Sequence, residues 1–300
     1  MSLLVVGSLA LDTVETSEGR AENVFGGSAA YFSYAAGFFT DVRLVGVVGN
    51  DFPHEYLEVL KARNIDTSGI ERVEQPTFRW HGKYHEDKNV RDTISVHLNC
   101  LAEYEPKVPE QFRDTPFVFL ANADPGIQMR VLKQMKSPKL VVSDTMNLYI
   151  EKRRDALIEL LGRVGGFVAN DEEIRLLTGS YNLISAGREL LKYGPKFLII
   201  KKGEHGAILF TKDEVLPFPA YPLDEVIDPT GAGDSFGGGM LGFIAETGDF
   251  TNTGLKKAVA YGTVTASFTC QDFSLECLKD TQRSDIDKRY RQYVKMLKID

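Results

Sequence analysis

Residues 228–234 read DPTGAGD and lead straight into the apolar run SFGGGMLGFIA. Gly231, Ala232 and Gly233 carry almost no side chain, so their backbone N–H groups can turn toward one point, where a starting helix adds its positive dipole end. Such a point binds an anion, and phosphate suits several converging donors. Asp234 is the anomaly. A carboxylate inside an anion hole is unfavourable unless it accepts a proton beside the bound phosphate, which points to phosphoryl transfer. The bland alternative is a glycine-rich turn in which Asp234 is only a first-turn charge. Neither standard phosphate motif is present: GxxxxGK followed by Ser or Thr is absent, and Phe236 takes the sixth place of GxGxxG. Gly237, Gly238 and Gly239 each cost about 0.8–1 kcal/mol relative to Ala in a helix, so tight packing or a ligand must require them.

Other candidate residues fall at the ends of apolar runs. In NDEEIRLLTG, Asn170 and Glu173 have the spacing of a capping box. The same pair could hold the water shell of Mg2+, which keeps several waters and needs few direct carboxylates. In IIKKGEHGAILF, Gly203 and Gly206 mark either a hairpin turn or a flat backbone shelf for a nucleotide. Gly26 and Gly27 precede SAAYFSYAAGFF, a second place for close backbone approach or a simple helix entry. Tyr31, Phe32 and Tyr34 read as core. His81 and His85 lack the Glu of a zincin helix, so no zinc is expected.

The elements that would position these groups alternate. Continuously apolar runs such as LLVVGSLALD, VRLVGVVG, FVFLAN, KLVVSD, GFVAN and FLIIKKG are separated by helical patterns. This predicts a doubly wound α/β fold around a mostly parallel sheet covered on both faces. Asp12, Gly49 with Asn50, Asn122, Asp144, Asn170 and Lys202 close these runs, so they should share the carboxyl rim where open sheets bind ligands. Residues 77–99, TFRWHGKYHEDKNVRDTISVHLN, break the pattern as polar-faced strands around a turn at EDKN. They read as a small β lid inserted in one domain spanning 1–300, with residues 12–22 as its complement. Phe78, Trp80 and Tyr84 alternate along that lid, placed to stack on a base or on a partner strand.

With 300 residues the chain can bury a large core. A formal charge of −7 without a basic cluster argues against a nucleic-acid partner. No apolar run is long enough to span a bilayer. Cys100, Cys270 and Cys277 have neither metal spacing nor an even count. With an N-terminus lacking the basic flank of a signal peptide, these features lead to an expected cytoplasmic location.

DPTGAGDSFGGGMLG resembles the C-terminal signature of the PfkB or ribokinase-like carbohydrate and nucleoside kinases; NDEE is similar to that family's NxxE, and GGSAA to its N-terminal Gly-Gly motif. The three occur in the family's order across nearly the whole chain. The resemblance implies that Asp234 is the catalytic base and that Gly231, Ala232 and Gly233 form the anion hole. It places Asn170 and Glu173 at the Mg2+ and phosphate region, and Lys201, Lys202, Gly203 and Gly206 at the nucleotide shelf. Tyr261 falls near the adenine pocket, Asp12, Gly26, Gly27 and Ser28 face the substrate, and Asp228 and Thr230 hold a monovalent cation. The expected function is transfer of the γ-phosphate of ATP-Mg to a hydroxyl of a small carbohydrate, with K+ as activator and a homodimer formed through the lid. The alternatives are a nucleoside kinase of the same family and a nucleotide-binding regulator without turnover. Ser28 and Tyr31 replace the Lys and Asn of the family's GGKGAN form, which argues against ribose itself.

Overall fold

The computed structural model describes residues 1–298. Its strands are β1 Leu3–Val6, β2 Ala10–Thr16, β3 Gly19–Gly26, β4 Val42–Gly49, β5 Ile65–Val73, β6 Phe78–Tyr84, β7 Arg91–His97, β8 Phe117–Leu120, β9 Leu140–Ser143, β10 Gly166–Asn170, β11 Phe197–Lys201, β12 Ala207–Thr211 and β13 Val215–Phe218. The helices of the first half are α1 Ser28–Ala36, α2 His54–Lys61, α3 Pro125–Gln134, α4 Asn147–Lys152 and α5 Arg154–Leu161. Those of the second half are α6 Asp171–Thr178, α7 Leu183–Leu191, α8 Ala232–Thr247, α9 Asn252–Thr269, α10 Glu276–Asp280 and α11 Arg283–Leu297.

Nine strands form one sheet in the order β13-β12-β11-β10-β9-β8-β1-β4-β5. It is parallel from β5 to β11 and closes with the antiparallel hairpins of β12 and β13. Alternation along each strand sends side chains to two cores: Leu3, Val5 and Leu44 pack beneath α1, α8 and α9, whereas Leu4, Val6 and Val45 pack on the opposite face with Leu157, Leu160 and Ile174. Chain order reverses beside β1, whose neighbours are β8 and β4, which makes a switch point with a crevice at the carboxyl ends.

The run LLVVGSLALD is not one strand. The chain leaves the large sheet after Val6, at a glycine packed so closely that a side chain there would stand 2.5 Å from the Ala121 methyl, and it re-enters strand conformation at Ala10 in a second sheet. Asp12 therefore lies within β2 and not at the end of a large-sheet strand. The second sheet has the order β3-β2-β6-β7, so the complement of the 77–99 segment runs from Ala10 to Gly26, wider than residues 12–22. Residues 99–101 leave the β pattern for one 3-10 turn.

The glycine run of α8 is explained by helix packing. A Cβ at Gly238 would sit 2.2 Å from the Phe32 carbonyl oxygen and 2.8 Å from the Ala35 methyl, and one at Gly239 would sit 2.5 Å from Thr265 Oγ1. Bare backbone lets α8 lie against both α1 and α9, which fixes the direction in which its N-terminus points. Gly238→Ala gains about 0.8–1 kcal/mol of helix propensity but meets a backbone carbonyl, and overpacking costs about 1–3 kcal/mol. The variant should therefore melt below the wild type in a thermal scan, the reverse of what an exposed helical glycine would give.

Candidate active site

The entry to α8 is built by local constraints. Gly231 is the N-cap at φ 75°, ψ 0°, a left-handed conformation that favours glycine, and a Cβ there would stand 2.2 Å from the Tyr31 ring. The first helical bond runs from Ser235 N–H to the Gly231 carbonyl at 2.8 Å. The Ala232 N–H is spent on the Pro229 carbonyl at 3.1 Å, so Ala232 is not a free member of the expected donor trio. Gly233 and Asp234 supply the remaining amides of this terminus.

Asp234 is half-buried in the first turn. Desolvation pushes its carboxyl up to about 7; Lys201 and Arg91 pull it down while Asp144 pushes it further. Lys201, at the end of β11, reaches the same point: its Nζ is 3.2 Å from where a Gly233 Cβ would be and 3.3 Å from Asp144 Oδ2. Asp144, buried just beyond β9, is held by Thr145 N–H on Oδ1 at 2.7 Å. Burial alone would lower the Lys201 ammonium, but the carboxylates of Asp144, Glu173 and Asp234 outweigh it and the net direction is up.

Asn170 and Glu173 do form the capping box, with Asn170 N–H donating to Glu173 Oε2 at 2.7 Å and Glu173 N–H to Asn170 Oδ1 at 2.8 Å. The cap also turns the buried Glu173 carboxyl toward the charge cluster. Burial raises it, Asp144 reinforces and Lys201 opposes. The capping-box reading of this pair is met, and the same geometry leaves the carboxyl beside Lys201. One carboxylate oxygen caps the helix, and the residue's charge acts beside Lys201.

Asp12 and Asp228 are the other buried acids. Gly26 is bare because a Cβ would lie 1.9 Å from Asp12 Oδ2, so the Gly-Gly pair makes room for this carboxylate. Burial pushes Asp12 up to about 7, a backbone hydrogen bond from Gly27 opposes and Asp228 reinforces, and Oδ1 has no hydrogen-bond partner among the described residues. Ser28 is tied to Ser8 through both its N–H and its hydroxyl, each at 3.1 Å. Asp228 Oδ1 accepts the Thr230 N–H at 2.8 Å, while its buried Oδ2 has no partner, and burial raises this carboxyl to about 6. That orphaned oxygen is what a cation would satisfy. The Thr230 hydroxyl is committed elsewhere, donating to Tyr84 Oη of β6 at 3.2 Å.

Gly203 and Gly206 bound a 3-10 turn within the β11–β12 hairpin, and Lys202 N–H donates to the Gly206 carbonyl at 2.7 Å. The tip of the second sheet rests on this turn: Asn89 Nδ2 donates to Glu204 Oε1 at 3.0 Å. Tyr261 is not placed at a nucleotide pocket. It stacks between Phe243 (4.6 Å between centroids) and Tyr290 (4.0 Å), and its hydroxyl donates to Asp287 at 3.1 Å. Phe243 is nine residues past Asp234, about 14 Å along the helix at 1.5 Å per residue. His81 and His85 pair with Glu15 and Asp92, each at 2.9 Å.

Sequence reasoning missed three residues. Tyr31, 1% exposed with an unpartnered hydroxyl, floors the Gly231 turn. Asp144 was legible as a rim residue but not as the partner of Lys201. Arg91 had no local signal.

A helix N-terminus with a half-buried carboxylate in its first turn and a lysine beside it, at the carboxyl rim of a doubly wound sheet, fits a small-molecule phosphotransferase. Residues 2–280 match the pfkB family carbohydrate kinases, and the chain belongs to that family. It is similar to the cytidine kinase of Thermococcus kodakarensis, 32% identical over 247 residues that cover 80% of this chain and 87% of the relative. Its fold is that of the nucleoside kinase of Methanocaldococcus jannaschii (TM-score 0.79, 23% identity, 97% and 98% of the two chains). The Burkholderia thailandensis nucleoside kinase, solved with inosine, gives a TM-score of 0.78 at 22% identity over 97% of both chains. The chain is thus a kinase of the family that uses ATP with Mg2+.

If Tyr261 is structural, Tyr261→Phe should lower stability by about 0.5–1.5 kcal/mol, the value of one hydrogen bond, and leave the KM for ATP unchanged. Denaturant titration and nucleotide saturation curves check both halves.

Proposed function

We propose that this protein is a nucleoside kinase that phosphorylates a ribosyl hydroxyl. The observation that carries the substrate class is the 32% identity to a cytidine kinase over most of both chains, which favours a nucleoside over the simple carbohydrate expected first. Two features of the site support it. Asp12 presents an unpartnered carboxylate oxygen, suited to accept from sugar hydroxyls, and its register partner is Trp80, an apolar surface for a base. The lid role assigned to the second sheet rests on its tip crossing to Glu204 over the cleft.

In this reading Asp12 orients the acceptor, and Asp234 receives its proton as the oxygen–phosphorus bond forms and the bond to the β-phosphate oxygen breaks. The loose transition state asks little activation of the nucleophile, so a carboxylate suffices as proton acceptor. The Gly233 and Asp234 amides and Lys201 bind the phosphoryl oxygens, and each preorganised donor contributes on the order of 2.7–4 kcal/mol. Glu173 would hold the water shell of Mg2+, whose charge offsets that of the polyphosphate. Asp228 Oδ2, with backbone oxygen of Thr230, would hold K+ behind the helix entry. Strand β7 is an edge whose Ile94 and Val96 are 54% and 48% exposed, and a second copy of the chain would cover it, giving a homodimer.

Asp234→Asn should keep the fold and nucleotide binding but lose about 10²–10⁴ in kcat, read by ADP release over a panel of nucleosides and sugars. Because the carboxyl must be ionised to accept a proton and burial raises it to about 7, kcat of the wild type should fall as pH drops through that value. A rate flat down to pH 5, or turnover on sugars alone, would defeat the assignment.

K+ should raise kcat severalfold over Na+ or tetramethylammonium, and Asp228→Asn should abolish that response. Equal rates in all three salts would remove the cation site.

A further inference from the structure

We propose that Asp144, just beyond β9, is a positioning residue for the transfer: it holds the Lys201 ammonium beside the first turn of α8 and so keeps that ammonium off the Asp234 carboxylate. The inference rests on the kinase reading above, which uses Lys201 and Asp234 and gives Asp144 no part. Three acids act on one ammonium here, Asp144, Glu173 and Asp234. Asp144 alone takes it. Its Oδ2 is 3.3 Å from Nζ, and among the described residues no other carboxylate lies within ion-pair distance of Lys201. In that position Nζ stands 3.2 Å from where a Gly233 Cβ would be, beside the amide end of the helix. A lysine carries three rotatable donors on a flexible stem, so its own chemistry does not choose between the acids. The choice comes from the acid that is fixed.

Asp144 is held at every polar atom except the one that faces Lys201. Its N–H donates to the Leu120 carbonyl at 3.0 Å, and its carbonyl accepts from Gln128 Nε2 at 3.0 Å. Its Oδ1 accepts from the Thr145 N–H at 2.7 Å, which leaves Oδ2 to the ammonium. Gln128, 2% exposed on α3, also donates to the Leu120 and Ala121 carbonyls at 3.1 and 2.9 Å, so α3, β8 and β9 are tied together at Asp144. The consequence is chemical. Asp234 has to be free to accept a proton, and an ammonium paired with it would lower its basicity and be withdrawn from the phosphoryl oxygens. Burial raises the Asp234 carboxyl to about 7, Lys201 and Arg91 lower it, and Asp144 raises it. With Asp144 neutral, two carboxylates remain for the ammonium. Glu173 Oε2 already accepts the Asn170 N–H, whereas Asp234 stands in the first turn next to Gly233. The ammonium would settle on the base.

The test is a double-mutant cycle in the full-length protein, Asp144→Asn, Lys201→Met and the two together, on the nucleoside that the wild type turns over best. Glu173 and Asp234 still compensate the ammonium in Asp144→Asn, so its thermal melt should stay close to that of the wild type. Asp144→Ser repeats the test if the amide variant does not fold, and loss of fold in both overturns the inference in favour of a structural role. At a pH above the acid limb of each profile, Asp144→Asn should lose about 10²-fold in kcat, with the nucleoside KM changed only a few-fold. In the Lys201→Met background the same change should cost no more than about threefold. The acid limb of kcat should move to lower pH in Asp144→Asn and to higher pH in Lys201→Met, because the base gains the ammonium in one and loses it in the other. A structural role would lower kcat and leave the limb in place. Losses that multiply in the double variant overturn the inference alone, as does an unmoved acid limb or an Asp144→Asn kcat within about threefold of wild type. Absence of wild-type turnover on every nucleoside and sugar overturns the kinase reading and this inference with it.

Discussion

One lysine among buried acids sets the terms for this structure. Lys201 Nζ is 3.3 Å from Asp144, and the carboxylates of Glu173 and Asp234 also act on it. Burying several carboxylates around one ammonium is costly, because desolvation penalises each charge and a single cation cannot compensate all of them. The raised values of Glu173 and Asp234, each about 7, express that cost. A raised carboxyl stabilises the fold fully only below its unfolded value, and the contribution is lost as pH rises through the folded one. The free protein therefore gives up stability near neutrality to keep these groups together. A ligand that brings cations with its phosphates relieves the imbalance, whereas a bare polyanion would meet the acids first.

The rest of the fold can be understood as the means of holding that cluster. Parallel strands deliver Asp144, Asn170 and Lys201 to one rim because β9, β10 and β11 are neighbours in register. Helix α8 must aim its first turn at the same rim, and its glycines let it press on α1 and α9 so that the direction is fixed by backbone contact. The stacked rings of Phe32 and Phe119, 3.8 Å apart, tie α1 to β8 beneath this arrangement. The aromatic stack around Tyr261 anchors the far end of α8. The rotation of one helix is thus constrained at both ends, and the position of Asp234 follows from it.

What could be read from the sequence was what is locally encoded. Glycine and proline spacing gave the helix entry at 231, and alternating apolar runs gave the sheet. The spacing of Asn170 and Glu173 gave the capping box. Edge strand β5, with its polar sequence IDTSGIERV, gave no apolar run, and α9 is rich in β-branched residues that mask its helical period. The close packing that requires a glycine at position 7, where β1 has ended, is against the Ala121 methyl, more than a hundred residues away in sequence. For the same reason no local pattern distinguished Tyr31, whose ring lies under Gly231, from core tyrosines, or marked Tyr261 as stacked between Phe243 and Tyr290. Roles defined by a partner across the fold were invisible until the partner was placed.

The two sheets divide the work in a way that explains why phosphate chemistry was easier to recognise than the acceptor. The groups assigned to the phosphates and their cation sit on the large sheet, on α6 or on α8, and the direction of α8 is set by buried backbone packing that leaves little freedom. The groups assigned to the acceptor, Asp12 and Trp80, are carried by β2 and β6 of the four-stranded sheet. Most of β7, at the edge of that sheet, is exposed. In the nucleoside-kinase reading proposed above, DPTGAGD serves the phosphates and the residues facing it from the small sheet choose the acceptor.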